Sequence, residues 1–380
     1  MAGARSRSKI TPMTLEPQAS QDEPERPYGN LVRFSLVFGV VVVSFWLLIV
    51  GRKFLIPIVL AVFVWYLIEA MLAFWRGVRI AGRPVPQLAP AILSALVIFG
   101  CLFGLLSMIS SNVSKMAVQA PTYEKRLQGL YEMVVTKLGI DENQLFDQVM
   151  EKLDLAALAA STGSTFGGLL GTVMLIAMYV IFLLLERNFF SAKLLALVPD
   201  SNRREGVRAA IARVDREIRV YLSMKITVSL LTAGLSYIVM RLIGVDFAEF
   251  WAALIFIFNF IPYIGSTVAT LLPTLQALLQ FESPQPALLL FVGVQTVQIS
   301  VGSLLEPAMM GKSLNMSPLV VMLALTFWGI IWGIAGMFLA VPLTVVIMIA
   351  CANFDSTRWV AVVLSKDGIL REDPVPPGTA

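Results

Sequence analysis

Apolar residues run along this chain in blocks more often than in stripes. Blocks of roughly the 20 residues that cross a hydrocarbon core fall at 31–50, 54–74, 88–110, 165–185, 222–243 and 287–306, and each predicts a full membrane span. Two more apolar stretches, 247–281 and 317–350, are too long for one crossing and are broken near the middle. Elsewhere the pattern turns helical and amphipathic. Tyr123, Leu127, Leu130, Val134 and Leu138 recur at helical spacing after Pro121, a good first-turn residue. Gly139 stops that helix, and Asp141 is placed to cap a second one bearing Leu145, Phe146, Val149 and Leu153. Val207, Ile211, Val214 and Ile218 stripe a third helix, whose arginines suit an anionic membrane surface.

The breaks in the two long stretches carry the most information. "FNFIPYIGS" puts an amide, a proline and a glycine at the centre of the first. Pro262 lacks an N–H and its ring crowds the carbonyl of Phe258, while Gly265 leaves the backbone beside it bare. Unpaired backbone in hydrocarbon costs several kcal/mol per group, so such a break survives only against protein or a water-filled cavity. In the second stretch Gly329, Gly333 and Gly336 gather in "FWGIIWGIAG", and Pro342 follows. One clean span precedes each broken stretch, so the C-terminal half reads span–hairpin, span–hairpin, in opposite orientations. That inverted layout points to a transport site near the midplane. Glycines at spacings of three or four also serve close helix packing, which is the plainer reading of the second set.

Polar residues converge on the span between the hairpins. Gln295, Gln298, Gly302 and Glu306 stand at offsets that share one helix face, which must look at protein or water. Lys312 lies within reach of Glu306 as a candidate partner, and Glu69 in the second span is the other acid at depth. Either glutamate is a candidate to carry a coupling proton, and either could equally sit in a structural pair. Arg241 and Asp246 read as an interfacial pair.

Composition narrows the classes. The chain is 57% hydrophobic and 14% charged, against about 25% charged in soluble domains, so it is an integral membrane protein. It has no histidine, which removes histidine-ligated metals and histidine bases. Cys101 and Cys351 read as packing residues, and no metal or other cofactor is expected. No phosphate-binding loop occurs, and neither H-E-x-x-H nor G-x-G-D marks an intramembrane enzyme. The net charge of +4 is better explained by topology than by nucleic acid. Basic residues crowd the N-terminal tail, the loop with Arg76, Arg79 and Arg83, and segment 186–221, which predicts cytosolic termini. Segment 111–164 carries five bases against seven acids and is expected outside.

With these residues in hand, the chain resembles the autoinducer-2 exporter family of bacterial multi-pass membrane proteins. The matching signatures are "FNFIPYIGS", "PTLQALLQ" and "LLEPAMMGKSLNMSPLVVMLALTFWGIIWGIAGMFLAVPLT", within roughly 31–355. The resemblance implies functional roles for Asn259, Pro262 and Gly265, for Gln298, Glu306, Pro307, Gly311 and Lys312, and for Gly333, Gly336 and Pro342. Ser266 stands where the family often has proline. It also implies a secondary transporter of the bacterial inner membrane, often oligomeric, with members linked to export of a sugar-like signal and others to sodium–proton exchange.

The expected architecture is an all-α polytopic membrane protein of six full spans plus two broken hairpins in an inverted repeat. Residues 1–30 form a disordered cytosolic tail, 31–110 a three-helix membrane region and 111–164 an extracytoplasmic amphipathic segment. Residues 165–221 supply the fourth span and a basic cytosolic helix, 222–352 the transport core and 353–380 a cytosolic tail. The leading expectation is a homo-oligomeric exporter of a small polar solute working by alternating access in the lipid bilayer. The alternatives are a monovalent cation–proton antiporter on the same scaffold and a membrane scaffold acting through segment 111–164.

Overall fold

A computed structural model describes residues 27–75, 88–138, 155–198, 201–310 and 315–368. The chain divides into two compact units, Met1–Val50 and Gly51–Ala380. The first unit contributes one helix, α1 (Pro27–Val50).

Among its described residues the second unit is built of helices joined by turns, with an isolated antiparallel bridge between Met316 and Ser365. Its helices are α2 (Arg52–Trp75), α3 (Leu88–Leu138), α4 (Leu155–Ala196), α5 (Ser201–Ile243), α6 (Ala248–Phe258), α7 (Ile264–Gln280) and α8 (Gln285–Ile299). A π-helical segment (Ser300–Leu305) leads into α9 (Glu306–Met310), followed by α10 (Pro318–Ala352) and α11 (Arg358–Leu364). Six of the described helices are long and apolar enough to cross a membrane. The protein is an all-α polytopic membrane protein.

Three boundaries differ from the expectation. Pro121 does not start a helix; it lies inside the 51-residue α3, because nothing between 111 and 120 stops the helix that enters it. The arginine-rich amphipathic helix and the span after it are one helix, the 43-residue α5. At 1.5 Å per residue α5 is about 64 Å long, twice a hydrocarbon core, so its basic half must project beyond the bilayer. The span at 287–306 is interrupted by the π segment, a feature often found at functional sites. The second amphipathic helix expected around 145–153, the loop with Arg76, Arg79 and Arg83, and most of both tails fall outside the described residues.

Both long apolar stretches fold back. The first separates into α6, about 16 Å long and too short to cross alone, and α7, joined by a turn at 259–263. In the second, Gly333 adopts φ 63°, ψ −141° within α10, a conformation that favours glycine. Trp328 Nε1 donates to Thr344 Oγ1 at 3.3 Å, whereas sixteen residues of straight helix would part them by about 24 Å. The chain therefore reverses at Gly333, leaving two antiparallel arms.

The two hairpins share construction details. Each closes on a glycine that touches the end of the opposite arm. A Cβ on Gly265 would lie 1.7 Å from the Phe258 carbonyl oxygen, and one on Gly336 would lie 1.9 Å from that of Trp328. Each is latched by an indole: Trp251 Nε1 donates to Gln276 Oε1 in the first, as Trp328 does to Thr344 in the second. Gln276 also donates to the Asp246 carbonyl and Gln280 to that of Gly244, so side-chain amides pair the backbone at the root of the first hairpin. Arg241 approaches Glu249 at 4.0 Å, and Asp246 engages Gln280 through its backbone N–H, so the interfacial partner of Arg241 is Glu249.

Two apolar clusters fix the frame. Ala61, Ile68 and Leu72 of α2 pack with Ile176 and Val180 of α4, and Ala95, Ile98 and Phe99 of α3 lie against them. Met240, Phe250, Trp251, Ile255, Ala277, Leu290 and Val294 join α5, both arms of the first hairpin and α8. Where the two hairpins meet, Phe260 stacks on Phe338 with ring centroids 4.8 Å apart, and Phe63 of α2 abuts both rings.

Candidate functional site

One face of α5 is polar although it is buried. Tyr221, Lys225, Ser229, Thr232 and Ser236 lie at offsets of 0, 4, 8, 11 and 15, and none is more than 5% exposed. Polar side chains at such depth demand partners. Ser229 Oγ accepts from Asn259 Nδ2 at 3.1 Å, which fixes the amide at the end of α6. Lys225 Nζ lies 2.5 Å from Glu306 Oε1, at the first residue of α9. An ammonium and a carboxylate this close offset one another's charge as an ion pair.

These groups border a cavity of about 810 Å³. α5 lends Tyr221 and Lys225, and the first hairpin lends Asn259, Ile261, Pro262, Tyr263 and Ser266. Gln295, Gln298, Gly302, Ser303, Glu306 and Pro307 come from the α8–π–α9 run. The two-sided polar lining follows from two helical stripes, one on α5 and one on that run, facing each other. Two residues of the lining each carry a fully buried polar atom with no hydrogen-bond partner among the described residues: Tyr221 Oη and Gln298 Nε2. On the remaining side stand Pro318, Val321 and Val341 of α10. Asn315, Met316, Lys366 and Asp367 complete the lining, and Lys366 N–H donates to the Asn315 carbonyl at 3.0 Å.

Of the residues singled out from sequence, Asn259, Pro262, Gln295, Gln298 and Glu306 meet at this cavity. Gly265, Gly333, Gly336 and Pro342 do not line it; they shape the hairpins, and Gly336 and Pro342 are buried. Lys312 and Gly311 lie outside the described residues, and the partner observed for Glu306 is Lys225. Glu69 is buried away from the cavity, with Arg219 Nη1 at 3.7 Å, while Arg219 also holds Asp215 at 2.7 Å. This cluster ties α2 to α5. Tyr221, Lys225 and Ser229 lie on an uninterrupted helix, where no proline or glycine marks them in the sequence. Their spacing within an apolar run was the available signal.

A polar cavity walled by membrane-length helices and by the tip of a folded-back hairpin is the arrangement a membrane transport protein needs. The comparisons with known proteins agree. Residues 34–355 match the AI-2E family transporter description, and the chain belongs to that family. It is 29% identical over 346 residues to the AI-2 transport protein TqsA of Escherichia coli (strain K12), covering 88% of this chain and 96% of that one. A putative transport protein of Borreliella burgdorferi is 32% identical over 263 residues, covering 68% of this chain and 71% of its own. The putative transport protein YhhT of Escherichia coli (strain K12) is 28% identical over 316 residues, covering 82% and 87%. It is a multi-pass transporter and not an enzyme.

Proposed function

We propose that the protein exports a small, hydroxyl-rich solute across the bacterial inner membrane by alternating access, with both termini in the cytosol. Autoinducer-2 is the first candidate, since it is named for a relative that aligns over most of both chains. The observation that carries the reading is the cavity of about 810 Å³ bounded by Asn259, Gln295, Gln298 and the Lys225–Glu306 pair. Carboxamides both donate and accept, as hydroxyls do, and so suit a solute with many hydroxyl groups. The hairpins are the moving parts in this scheme, and the cavity becomes reachable from each side in turn.

A cation–proton antiporter on the same scaffold would need a carboxylate ready to face a bare ion. Glu306 already faces the Lys225 ammonium at 2.5 Å, which favours the solute. The test is flux from proteoliposomes loaded with autoinducer-2, with sodium movement followed in parallel under an imposed pH gradient. The expected result is solute efflux that falls in Asn259→Ala and Gln298→Ala. Sodium exchange that depends on Glu306 alone, without solute efflux, would overturn the proposal in favour of the antiporter. Movement of neither would favour the scaffold.

A further inference from the structure

The two hairpins reverse at residues of opposite character. Gly333 turns the second at φ 63°, a conformation open to glycine. Tyr263 turns the first at nearly the same φ, 62°, with ψ −59°. Across it the Ile264 N–H donates to the Pro262 carbonyl at 2.7 Å, which makes this a γ-turn of the rare, strained hand. The turn is held from both ends. Gly265 presses on the Phe258 carbonyl, and the Tyr263 carbonyl accepts from Ser266 Oγ at 2.9 Å and from Thr267 Oγ1 at 3.1 Å.

Backbone strain persists only where its surroundings impose it, and it clusters at functional sites. Packing does not explain the tyrosine. Phe247, the other described non-glycine residue at positive φ, packs against the cluster that joins α5, the first hairpin and α8. Tyr263 is 53% exposed, and no side-chain hydrogen bond or ring contact fixes it among the described residues. What separates the two reversals is the cavity: Tyr263 lines it and Gly333 does not. The side chain is wanted at the reversal that borders the cavity, and glycine suffices at the other.

We propose that Tyr263 is a solute-contacting residue, kept in a strained turn so that the hairpin tip presents an aromatic ring to the cavity. A flat ring packs on the C–H face of a hydroxylated solute, and its phenol both donates and accepts. The inference rests on the transport reading above and adds to it a residue that touches the cargo. Recognition then rides on the hairpin itself.

The experiment compares Tyr263→Ala, Tyr263→Gly and Tyr263→Phe with the parent, as full chains in proteoliposomes loaded with graded autoinducer-2. Ala and Gly both lose the ring, and only Ala keeps the strain. Tyr263→Gly should melt about 2–4 °C above Tyr263→Ala. Both should raise the KM about five- to tenfold. Tyr263→Phe keeps the ring and should hold the KM within about threefold of the parent's. In a background of Cys101→Ala and Cys351→Ala, Tyr263→Cys should react with a hydrophilic thiosulfonate, and more slowly when autoinducer-2 is present.

A structural role predicts instead that both truncations melt below the parent with an unchanged KM. Unchanged KM in Tyr263→Ala and Tyr263→Gly of an active transporter would overturn the inference and leave the transport reading intact. A Tyr263→Gly protein that melts no higher than Tyr263→Ala would overturn it too, by removing the strain. So would a thiol at 263 that reacts only with a lipophilic reagent, since the side chain would then face lipid. If the parent moves no autoinducer-2, the transport reading fails and takes this inference with it.

Discussion

Lys225 and Glu306 lie 81 positions apart in the chain, yet Nζ of one stands 2.5 Å from Oε1 of the other. The lysine is 5% exposed and the glutamate 20%, so neither charge is bathed by solvent. The pair joins the middle of α5 to the start of α9 across the mouth of the π segment. It fixes the distance between the two polar stripes.

Removing one charge should therefore hurt more than removing both. Lys225→Met strands the Glu306 carboxylate and is expected to destabilise the purified protein by roughly 3 kcal/mol. Lys225→Met combined with Glu306→Gln should recover a large part of that loss. A double-mutant cycle on thermal unfolding in detergent measures the coupling. Additive losses would show that the two side chains do not act as a pair.

The hairpin glycines should resist even the smallest side chain. At Gly265 and Gly336 a methyl group would strike a backbone carbonyl at under 2 Å, and backbone cannot swing aside as a side chain does. Gly265→Ala and Gly336→Ala are each expected to cost about 1–3 kcal/mol or to prevent folding. Gly234→Ala is the contrast: it sits within α5 with nothing within 4 Å of the added carbon. It should be neutral or stabilising by up to about 1 kcal/mol. Melting temperatures of the three variants decide the matter.

The indole latch of the second hairpin is a separate target. Trp328→Phe keeps the ring and deletes the donor that reaches Thr344. A loss of about 1 kcal/mol is expected, with Thr344→Val costing a similar amount and the double variant little more. Faster proteolysis near Gly333 in the single variants would report the same loosening.

The cavity should be wet. In a background of Cys101→Ala and Cys351→Ala, Ser303→Cys is expected to react with a hydrophilic thiosulfonate, since it lines the cavity. Ser236→Cys, 0% exposed on the same polar face of α5, should stay unmodified. Equal silence at both positions would mean that water does not reach the Ser303 wall.

Much of the architecture was legible from the sequence because lipid imposes a simple code. Blocks of apolar residues marked the helices, the proline–glycine break at 262–265 marked the first reversal, and Gly333 and Gly336, whose plainer reading is close packing, lie at the second. Helix ends outside the lipid were less legible, since no block length limits them there. That is why α3 runs through Pro121, and why α5 joins an amphipathic stripe to a span without a stop.

The cavity divides in the same way. Gln295, Gln298 and Glu306 stood out as a stripe in an apolar run, and Asn259 as an amide at a break. Lys225 was concealed by its position close to a basic segment, where a lysine reads as a topology signal. Pairing Glu306 with Lys312 followed proximity along the chain, whereas the partner observed comes from another helix. Asn315, Lys366 and Asp367 reach the lining through backbone pairing near the Met316–Ser365 bridge, which no periodicity announces.

The ring contact between Phe260 and Phe338 has a mechanical consequence. A residue in the turn of one hairpin leans flat against the returning limb of the other, and Phe63 wedges against both from a third helix. Flat aromatic faces slide but do not readily separate. Were either element to tilt, its counterpart would be pushed with it, so under the transport proposal above the two hairpins would move together.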